Sequence, residues 1–216
     1  MMTVTDPFHV LVLRHGQTDS NAGGIVQGHL PVPLNALGRR QAELLAARVA
    51  AWRPRVGRVV SSDLARAAQT AEPIARALGV DLHLDAQWRE RFLGEFQGQT
   101  FGERRTWTFA SGEETPPGAE TMRDFESRVR AALEGLTPPP DGSPVAVVTH
   151  GGPCRVVCRL LASGRLPFDG DPITEPEVVE NCSILQLHRN AAGTWRVACL
   201  NDVAHLRELR TATDAG

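Results

Sequence analysis

Residues 9–16 read HVLVLRHG, a short apolar run that ends in an arginine, a histidine and a glycine. An apolar run of this length, rich in valine and bounded by polar residues, predicts a buried β-strand. Residues 36–52 follow as a predicted helix. A buried strand followed by a helix is the unit of α/β folds, in which helices cover both faces of the sheet.

The same alternation recurs along the chain. Residues 58–61 and 145–149 predict two further buried strands, and residues 63–78 and about 153–162 predict the helices that follow them. Ser62 or Asp63 is the expected N-cap of the first of these helices. Residues 183–188 and 194–199 have the pattern of a closing β-hairpin. We therefore predict a three-layer α/β/α fold with a mostly parallel central sheet.

The segment between residues 97 and 140 is less regular, with a predicted helix near residues 121–136 and a proline-rich exit at residues 138–140. We interpret it as an inserted cap or lid. A chain of 216 residues can close one large core before chains usually divide, so residues 1–216 are expected to form a single domain.

The charge of the chain argues against some partners and some chemistry. A formal net charge of −2 gives no electrostatic reason to expect nucleic acid or an anionic membrane as partner. All 23 basic residues are arginine, which rules out a Schiff-base lysine and a phosphate loop of the Gly-Lys-Ser/Thr type. Any phosphate must therefore be held by arginine. No basic region followed by a long apolar stretch is found near the start, so a cytoplasmic location is expected.

The four cysteines, Cys154, Cys158, Cys182 and Cys199, lack the paired spacing of a disulfide framework or a zinc knuckle. They are expected to be small buried hydrophobic side chains. His150, Cys154 and Cys158 recur every four residues and could hold a metal on one helical face. His150 precedes two glycines, however, which places it before the helix, and no metal site is expected.

Polar residues follow each of the three buried strands, at the point where the strand ends. These clusters are residues 14–16, 61–66 and 150–152. The carboxyl ends of parallel strands lie at one edge of a sheet, where open α/β sheets bind ligands. The clusters are thus expected to meet in one site.

The residue types in these clusters suit a phosphoryl group. Arg14 and Arg66 can each fork onto phosphate oxygens, and amides at the helix starts add partial positive charge. A neutral ring nitrogen of a histidine can attack phosphorus and divide one displacement into two easier steps. The other histidine can stabilise charge on the transferred group. His15 and His150 are the two candidates.

These residues stand in longer stretches that resemble the signatures of the histidine phosphatase superfamily, which includes the cofactor-dependent phosphoglycerate mutases. The stretches are LRHGQT at 13–18, with Asn21 and Gln27-Gly28 after it, PLNALGRRQA at 33–42, SSDLARAAQTA at 61–71, VVTHGGPCR at 147–155 and LNDVAHL at 200–206. The resemblance runs over residues 10–206, which is essentially the whole chain.

The resemblance implies that His15 is the nucleophile and becomes a covalent phosphohistidine, with Arg14, Arg66 and His150 around the phosphoryl group. It also implies phosphate or substrate contacts from a second set of residues, Asn21, Gln27, Gly28 and Gly151. Thr18 is either a further phosphate contact or a cap of the following turn. Gly16 is expected to let the backbone approach the ligand closely.

The proton donor is assigned from a looser similarity. The stretch WRERFLGEFQG at residues 88–98 is similar to the family's L-x-E-x-x-x-G-x-x-E-G segment, which places the acid at Glu90, and Gln97 departs from its second glutamate. The alternative is that Glu90 is a solvated carboxylate at the rim and that His150 or Glu95 is the acid. PGAET at 117–121 resembles a G-G-E-S segment at a helix start, where Glu120 is expected to cap the helix.

More than one activity is open. The favoured expectation is a phosphomonoester phosphatase that acts on small phosphorylated metabolites, with water as acceptor and no cofactor. The alternative is a phosphoglycerate mutase with 2,3-bisphosphoglycerate as cofactor, although a chain without lysine lacks the cation of the mutases' Gly-Leu-Asn-Lys segment. A non-catalytic phospholigand-binding module is disfavoured by the complete set of two histidines and two arginines. Arg104 and Arg105 could hold a second anionic group or be solvated, and a homodimer stays open.

Overall fold

The computed structural model describes residues 7–100, residue 102 and residues 115–209. In these residues one mixed sheet lies at the centre of the fold. Its strands are β1 (Phe8–Arg14), β2 (Arg58–Ser61), β3 (Leu82–Leu84), β4 (Val145–Thr149), β5 (Ile184–Arg189) and β6 (Trp195–Asp202). Their order across the sheet is β3-β2-β4-β1-β5-β6.

The neighbouring strands β3, β2, β4 and β1 are parallel, and β5 and β6 add an antiparallel hairpin on one side. Arg14 at the end of β1 lies beside Thr149 at the end of β4, and Ser61 at the end of β2 lies beside Val148. The three strands that carry the polar clusters therefore end together. The mostly parallel sheet and the closing hairpin are confirmed.

Helices cover both faces of the sheet. They are α1 (Asp19–Ala22), α2 (Ala36–Ala50), α3 (Ala65–Leu78), α4 (Met122–Glu134) and α5 (Gly151–Ala162), with short 3-10 turns at Ala86–Trp88, Gly94–Phe96 and Ala204–Leu206. Along β1, Val10 and Val12 pack with α4 and α5, whereas Leu11 and Leu13 pack with α2 and α3. The predicted α/β/α layers are thus confirmed. No helix in the described part of the chain is long and apolar enough to cross a membrane.

The start of α3 differs from the prediction. Leu64 is the N-cap residue and makes no side-chain cap, so the prediction of Ser62 or Asp63 as the cap is wrong. Both of those side chains have other partners. Ser62 Oγ lies 2.8 Å from His150 Nε2, and Asp63 Oδ1 accepts a hydrogen bond of 2.6 Å from Arg89 Nε.

The helix α5 begins at Gly151, slightly earlier than predicted, and His150 is its N-cap residue. His150 therefore lies off the face that carries the cysteines, as the two following glycines predicted. Cys154, Cys158 and Cys182 are buried as expected, and Cys199 is half-buried. Burial raises the pKa of Cys158 to about 12, which keeps it a neutral thiol. Within the described residues no group of three or more His, Cys, Asp or Glu side chains is placed to hold a metal ion.

The helix α4 lies inside the segment predicted as a cap. Its apolar face, with Phe125, Val129 and Leu133, is buried in the same core as α5 and the sheet. This helix is therefore part of the layer that covers the sheet. Residues 101 and 103–114, with Arg104 and Arg105, lie outside the described residues.

The cap of α4 also differs from the prediction. Thr121 Oγ1 accepts a hydrogen bond from the backbone N–H of Asp124 and caps the helix. The prediction that Glu120 caps it is wrong, because the Glu120 carboxylate is bound by Arg128 Nε at 2.9 Å and NH2 at 2.8 Å. The residue before the cap thus joins the helix to the segment that carries Glu90, since Arg128 also donates to the Glu90 carbonyl.

Candidate active site

The ends of β1 and β4 and the start of α3 bring four predicted residues together. The rings of His15 and His150 lie 5.1 Å apart, edge to face. Arg66 Nε lies 3.3 Å from His15 Nε2, and Arg14 is the residue directly before His15 at the end of β1. This grouping places two imidazoles and two guanidinium groups at the carboxyl edge of the sheet, where open α/β sheets bind their ligands.

The hydrogen bonds of His15 determine which of its ring nitrogens is nucleophilic. His15 Nδ1 lies 2.7 Å from the Gly16 carbonyl oxygen, which can only accept, so the proton sits on Nδ1. The other nitrogen, Nε2, then carries a lone pair and accepts from Arg66 Nε. Burial, followed by the charges of Arg66 and Arg14, lowers the pKa of His15 well below its usual value. His15 is therefore a neutral imidazole with Nε2 available for attack.

Gly16 is required by the packing of the backbone. A Cβ at residue 16 would lie 2.5 Å from the Gly38 carbonyl oxygen, and the Gly16 N–H donates to Thr70 Oγ1 at 3.0 Å. The close approach seen here is thus to α2, and the expectation that Gly16 lets the backbone approach the ligand closely stays a prediction. This contact fixes the loop that carries His15 against two helices.

Arg66 is buried and is held at the cavity wall by backbone carbonyls. It donates to the carbonyl oxygens of Gly28 at 2.8 Å and Leu30 at 3.1 Å. Burial lowers its pKa to about 10, with the Glu90 charge acting in the opposite direction, so it stays cationic at neutral pH. The guanidinium is therefore oriented before any ligand arrives and still has donors for phosphate oxygens.

Arg14 and His150 each have a buried nitrogen that lacks a partner in the described part of the chain. Arg14 NH1 donates to the Val179 carbonyl, but Arg14 Nε has no hydrogen-bond partner there. His150 Nε2 lies 2.8 Å from Ser62 Oγ, and His150 Nδ1 is unpartnered. Buried polar groups without a partner cost free energy, so both nitrogens are candidate ligand contacts, and Arg14 Nε–H can only donate to an acceptor.

Of the remaining predicted binding residues, some line a cavity next to His15 and one does not. A cavity of about 330 Å³ is lined by Asn21, Gln27, Gly28 and Gly151, together with Arg14, His15 and Arg66. Asn21 Oδ1 accepts from the Thr18 N–H, which leaves the amide nitrogen of Asn21 as the group that can donate to phosphate. Thr18 itself is fully buried, does not line the cavity and caps α1. Of the two expectations for Thr18, the contacts seen here match the cap of the following turn.

Glu90 lines the cavity and is tied to the start of α5. Its Oε2 accepts from the Gly152 N–H at 2.9 Å, and its Oε1 accepts from the Arg91 N–H at 2.9 Å. The Glu90 carbonyl oxygen is bound by His29 Nε2 at 2.7 Å. A Cβ at residue 152 would lie 1.9 Å from Glu90 Oε1, so the glycine makes room for this carboxylate. Glu95, the alternative acid, is exposed and does not line the cavity.

Gln97, which departs from the family pattern, has a structural contact. Its Oε1 accepts from the His29 N–H at 2.6 Å. A Cβ at Gly28, where φ is +49°, would lie 2.2 Å from the same oxygen. Gln97 thus holds the loop that supplies the Gly28 carbonyl to Arg66.

Sequence reasoning missed part of the cavity lining. We call this part the outer wall, and it consists of Leu93, Met122, Phe125, Arg155, Arg159 and Glu175. Arg159 is held by Glu175 through Nε and NH2 and by Glu126 through NH1. The spacing of Gly151, Arg155 and Arg159 along α5 could have revealed two of these residues, because positions four apart share a helix face. The others come from separate segments and give no local signal.

The α/β fold and the two histidines and two arginines at its sheet edge together have the features of a phosphoryl-transfer enzyme. The sequence profile of the histidine phosphatase superfamily (branch 1) matches residues 10–203. The chain belongs to this superfamily, as its motifs indicated, and is an enzyme of the phosphatase or mutase-like type.

Individual relatives span nearly the whole chain. It is 33% identical to phosphoglycerate mutase-like protein 4 of Arabidopsis thaliana, over 94% of this chain and 89% of that protein. It is 31% identical to the probable phosphoglycerate mutase GpmB of Proteus mirabilis (strain HI4320), over 93% of this chain and 95% of that protein. Among solved structures, a mycobacterial glucosyl-3-phosphoglycerate phosphatase in complex with VO3 is similar, with a TM-score of 0.74 and 28% identity over 90% of this chain and 99% of that chain.

Proposed function

We propose that this protein is a phosphomonoester phosphatase that forms a covalent phosphohistidine at His15. The observation that carries the proposal is the protonation pattern of His15, whose Nδ1 is held by the Gly16 carbonyl while Nε2 keeps its lone pair beside Arg66. Arg14 Nε, buried and unpartnered in the described residues, supplies a donor for the phosphoryl oxygens, and His150 Nδ1 is a second buried nitrogen that lacks a partner there. A binding module without catalysis would not need a neutral imidazole at this position.

In the first step His15 Nε2 attacks phosphorus, the N–P bond forms and the ester P–O bond breaks. Glu90 gives its proton to the departing ester oxygen, which leaves as an alcohol. The positive charge that develops on the His15 ring is stabilised by the bond from Nδ1–H to the Gly16 carbonyl. In the second step water attacks phosphorus, gives a proton to the Glu90 carboxylate, and His15 Nε2 recovers its lone pair as inorganic phosphate forms.

A phosphoglycerate mutase is the second candidate, because the relatives that cover most of this chain are named phosphoglycerate mutase-like or probable phosphoglycerate mutase. In a mutase the phosphoryl group returns from His15 to a bound acceptor, and 2,3-bisphosphoglycerate is the cofactor that primes the histidine. The phosphatase is favoured because the chain contains no lysine and so lacks the cation of the Gly-Leu-Asn-Lys segment of the mutases. It is also similar to a solved phosphatase over 90% of its length.

The experiment measures the fate of the phosphoryl group. A panel of small phosphate esters is incubated with the enzyme, with and without 2,3-bisphosphoglycerate, and inorganic phosphate is compared with transfer between 3- and 2-phosphoglycerate. A phosphatase releases phosphate from the esters without needing the bisphosphate. Isomerisation that depends on 2,3-bisphosphoglycerate and exceeds phosphate release would replace the proposal with the mutase.

The panel is repeated in EDTA. Because arginines and histidines supply the positive charge at this site, we expect full turnover in the chelator. A rate that is lost in EDTA and restored by magnesium or zinc would contradict that expectation.

A further inference from the structure

Ser62 contacts the ring of His150 and takes no part in the steps described above. Its Oγ is 2.8 Å from His150 Nε2, and both residues are fully buried. The same Oγ accepts a hydrogen bond of 3.3 Å from the Leu64 N–H in the turn that leads into α3. The hydroxyl is thus fixed by the backbone on one side and faces a ring nitrogen on the other.

Two arrangements of protons are possible between these side chains. If Nε2 carries the ring proton, it donates to Ser62 Oγ, the serine proton has no acceptor among the described residues, and Nδ1 is a buried lone pair. If Nδ1 carries the proton, the serine hydroxyl donates to Nε2 and the only group left over is the Nδ1–H. The second arrangement satisfies one more buried group, which favours it.

The Nδ1–H then has a natural acceptor during the reaction. His150 is buried behind the cavity lining and packs edge to face against His15, with 5.1 Å between the ring centroids, so its ring is next to the histidine that would carry the phosphoryl group. A bare Nδ1 lone pair would repel the negatively charged phosphoryl oxygens. Burial, with Arg66 and His15 next, lowers the pKa of His150 well below its usual value, so His150 acts as a neutral group. A neutral histidine binds an anion only if the correct nitrogen is protonated.

We infer that Ser62 is a positioning residue that fixes His150 as its Nδ1–H tautomer and thereby makes it a hydrogen-bond donor to the phosphoryl group. This inference rests on the proposed function for its consequence in catalysis, although the tautomer itself is a property of the ligand-free enzyme. The two histidines carry their protons on the same ring nitrogen and present opposite polarity. In His15 the Nδ1–H donates to a backbone carbonyl, which leaves a lone pair on Nε2. In His150 the Nε2 accepts from a serine, which leaves the Nδ1–H as a donor.

The direct test is the tautomer of His150, read by two-bond ¹⁵N–¹H NMR of the histidine-labelled protein at neutral pH, with the signals assigned from a His150→Gln variant. We expect the wild type to have the proton on Nδ1. Ser62→Ala should show a mixture or the Nε2–H form. The matched control is Ser61→Ala, because Ser61 is also fully buried but its hydroxyl donates to the Ser62 carbonyl at 2.8 Å. It should keep the wild-type tautomer.

The kinetic consequence is measured on p-nitrophenyl phosphate. Ser62→Ala should lower kcat by about tenfold, less than the hundredfold typical of a removed donor, because the ring is still present. Ser61→Ala should stay within about twofold of wild type. A wild-type His150 with the proton on Nε2, or a Ser62→Ala protein with an unchanged tautomer, would overturn the inference. Failure of the proposed function would look different, since the Nδ1–H form would be seen in an enzyme that makes no phosphohistidine.

Discussion

At the inner end of the cavity Arg14 is half-buried and Arg66 is buried, and loss of solvent lowers the pKa of each guanidinium. At the outer wall Arg159 is held by two carboxylates, and its hydrogen bond to Glu175 is the main cause that raises its pKa. The inner arginines are therefore cations short of a counter-ion, whereas Arg159 already has its own. Under the proposed function, we expect the inner end to bind the phosphoryl group and the outer wall to face the rest of the ester.

Glu90 lines the same cavity, is bound at the start of α5 and gives the largest expected effect. A poor leaving group needs a proton as the P–O bond breaks, whereas p-nitrophenolate leaves without one. Glu90→Gln should therefore lower kcat/KM for an alkyl phosphate by about a hundredfold to ten-thousandfold, and much less for p-nitrophenyl phosphate.

The matched control for this prediction is Glu95→Gln, an exposed residue away from the cavity, which should be neutral. Equal losses on both substrates would mean that Glu90 positions the phosphate or supports the pocket. No loss on either substrate would remove it from the reaction.

The inner end predicts a loss that is independent of the leaving group. In Arg66→Lys one ammonium must replace a guanidinium that contacts His15, Gly28 and Leu30 at the same time. The rate should fall on the order of a hundredfold for alkyl and aryl esters alike. Arg76→Lys, the same change at an exposed position of the same helix, serves as control. Near wild-type kcat/KM for Arg66→Lys would show that its planar geometry is not used.

The two glycines at the start of α5 sharpen the distinction between acid and phosphate contacts. A Cβ at Gly152 would collide with Glu90 Oε1, whereas a Cβ at Gly151 would lie 3.6 Å from Arg14 Nε, an ordinary contact. Gly152→Ala should displace the carboxylate and cost up to about a hundredfold on alkyl esters. Gly151→Ala should cost little on either substrate, whereas the loss in Gly152→Ala should be smaller on p-nitrophenyl phosphate than on alkyl esters. Equal kinetics for the two variants would refute the steric assignment.

The smallest effect concerns stability. The folded-state pKa of His15 is depressed, so between that value and the unfolded value of about 6.5 the unfolded chain binds the extra proton. The free energy of unfolding should fall as the pH is lowered through 6.5, and His15→Asn should reduce that slope by up to about 1.4 kcal/mol per pH unit. Urea titrations at pH 7.5 and pH 5.5 measure it. The slope above pH 7.5 should not change, and an unchanged slope below pH 6.5 would mean that His15 protonates in the folded state.

Much of the inner end could be predicted from the sequence because its residues follow buried strands directly. The apolar runs at residues 9–13 and 145–149 locate Arg14, His15 and His150 at one sheet edge, and the family motifs add Arg66. What sequence could not show is which polar groups pair. Ser62 looks like a helix cap by position, yet its hydroxyl turns to His150, a residue 88 positions away.

The outer wall could not be predicted for a related reason. It joins α4, α5 and the segment around Glu175, and these meet only through tertiary packing. Met122 and Phe125 read as ordinary apolar positions of a helix. Their contact with the cavity depends on how α4 packs against α5, which no local pattern encodes.

The most direct measurement of the central claim is rapid-quench labelling with a ³²P-labelled phosphate ester, followed by mapping of the labelled residue. The wild type should carry phosphate that is acid-labile and alkali-stable, as a phosphoramidate is, and the label should map to His15. His15→Ala should remain unlabelled, whereas His188→Ala, the same change on β5 away from the cavity, should label fully. An acid-stable adduct, or full labelling of His15→Ala, would show that another residue is the nucleophile.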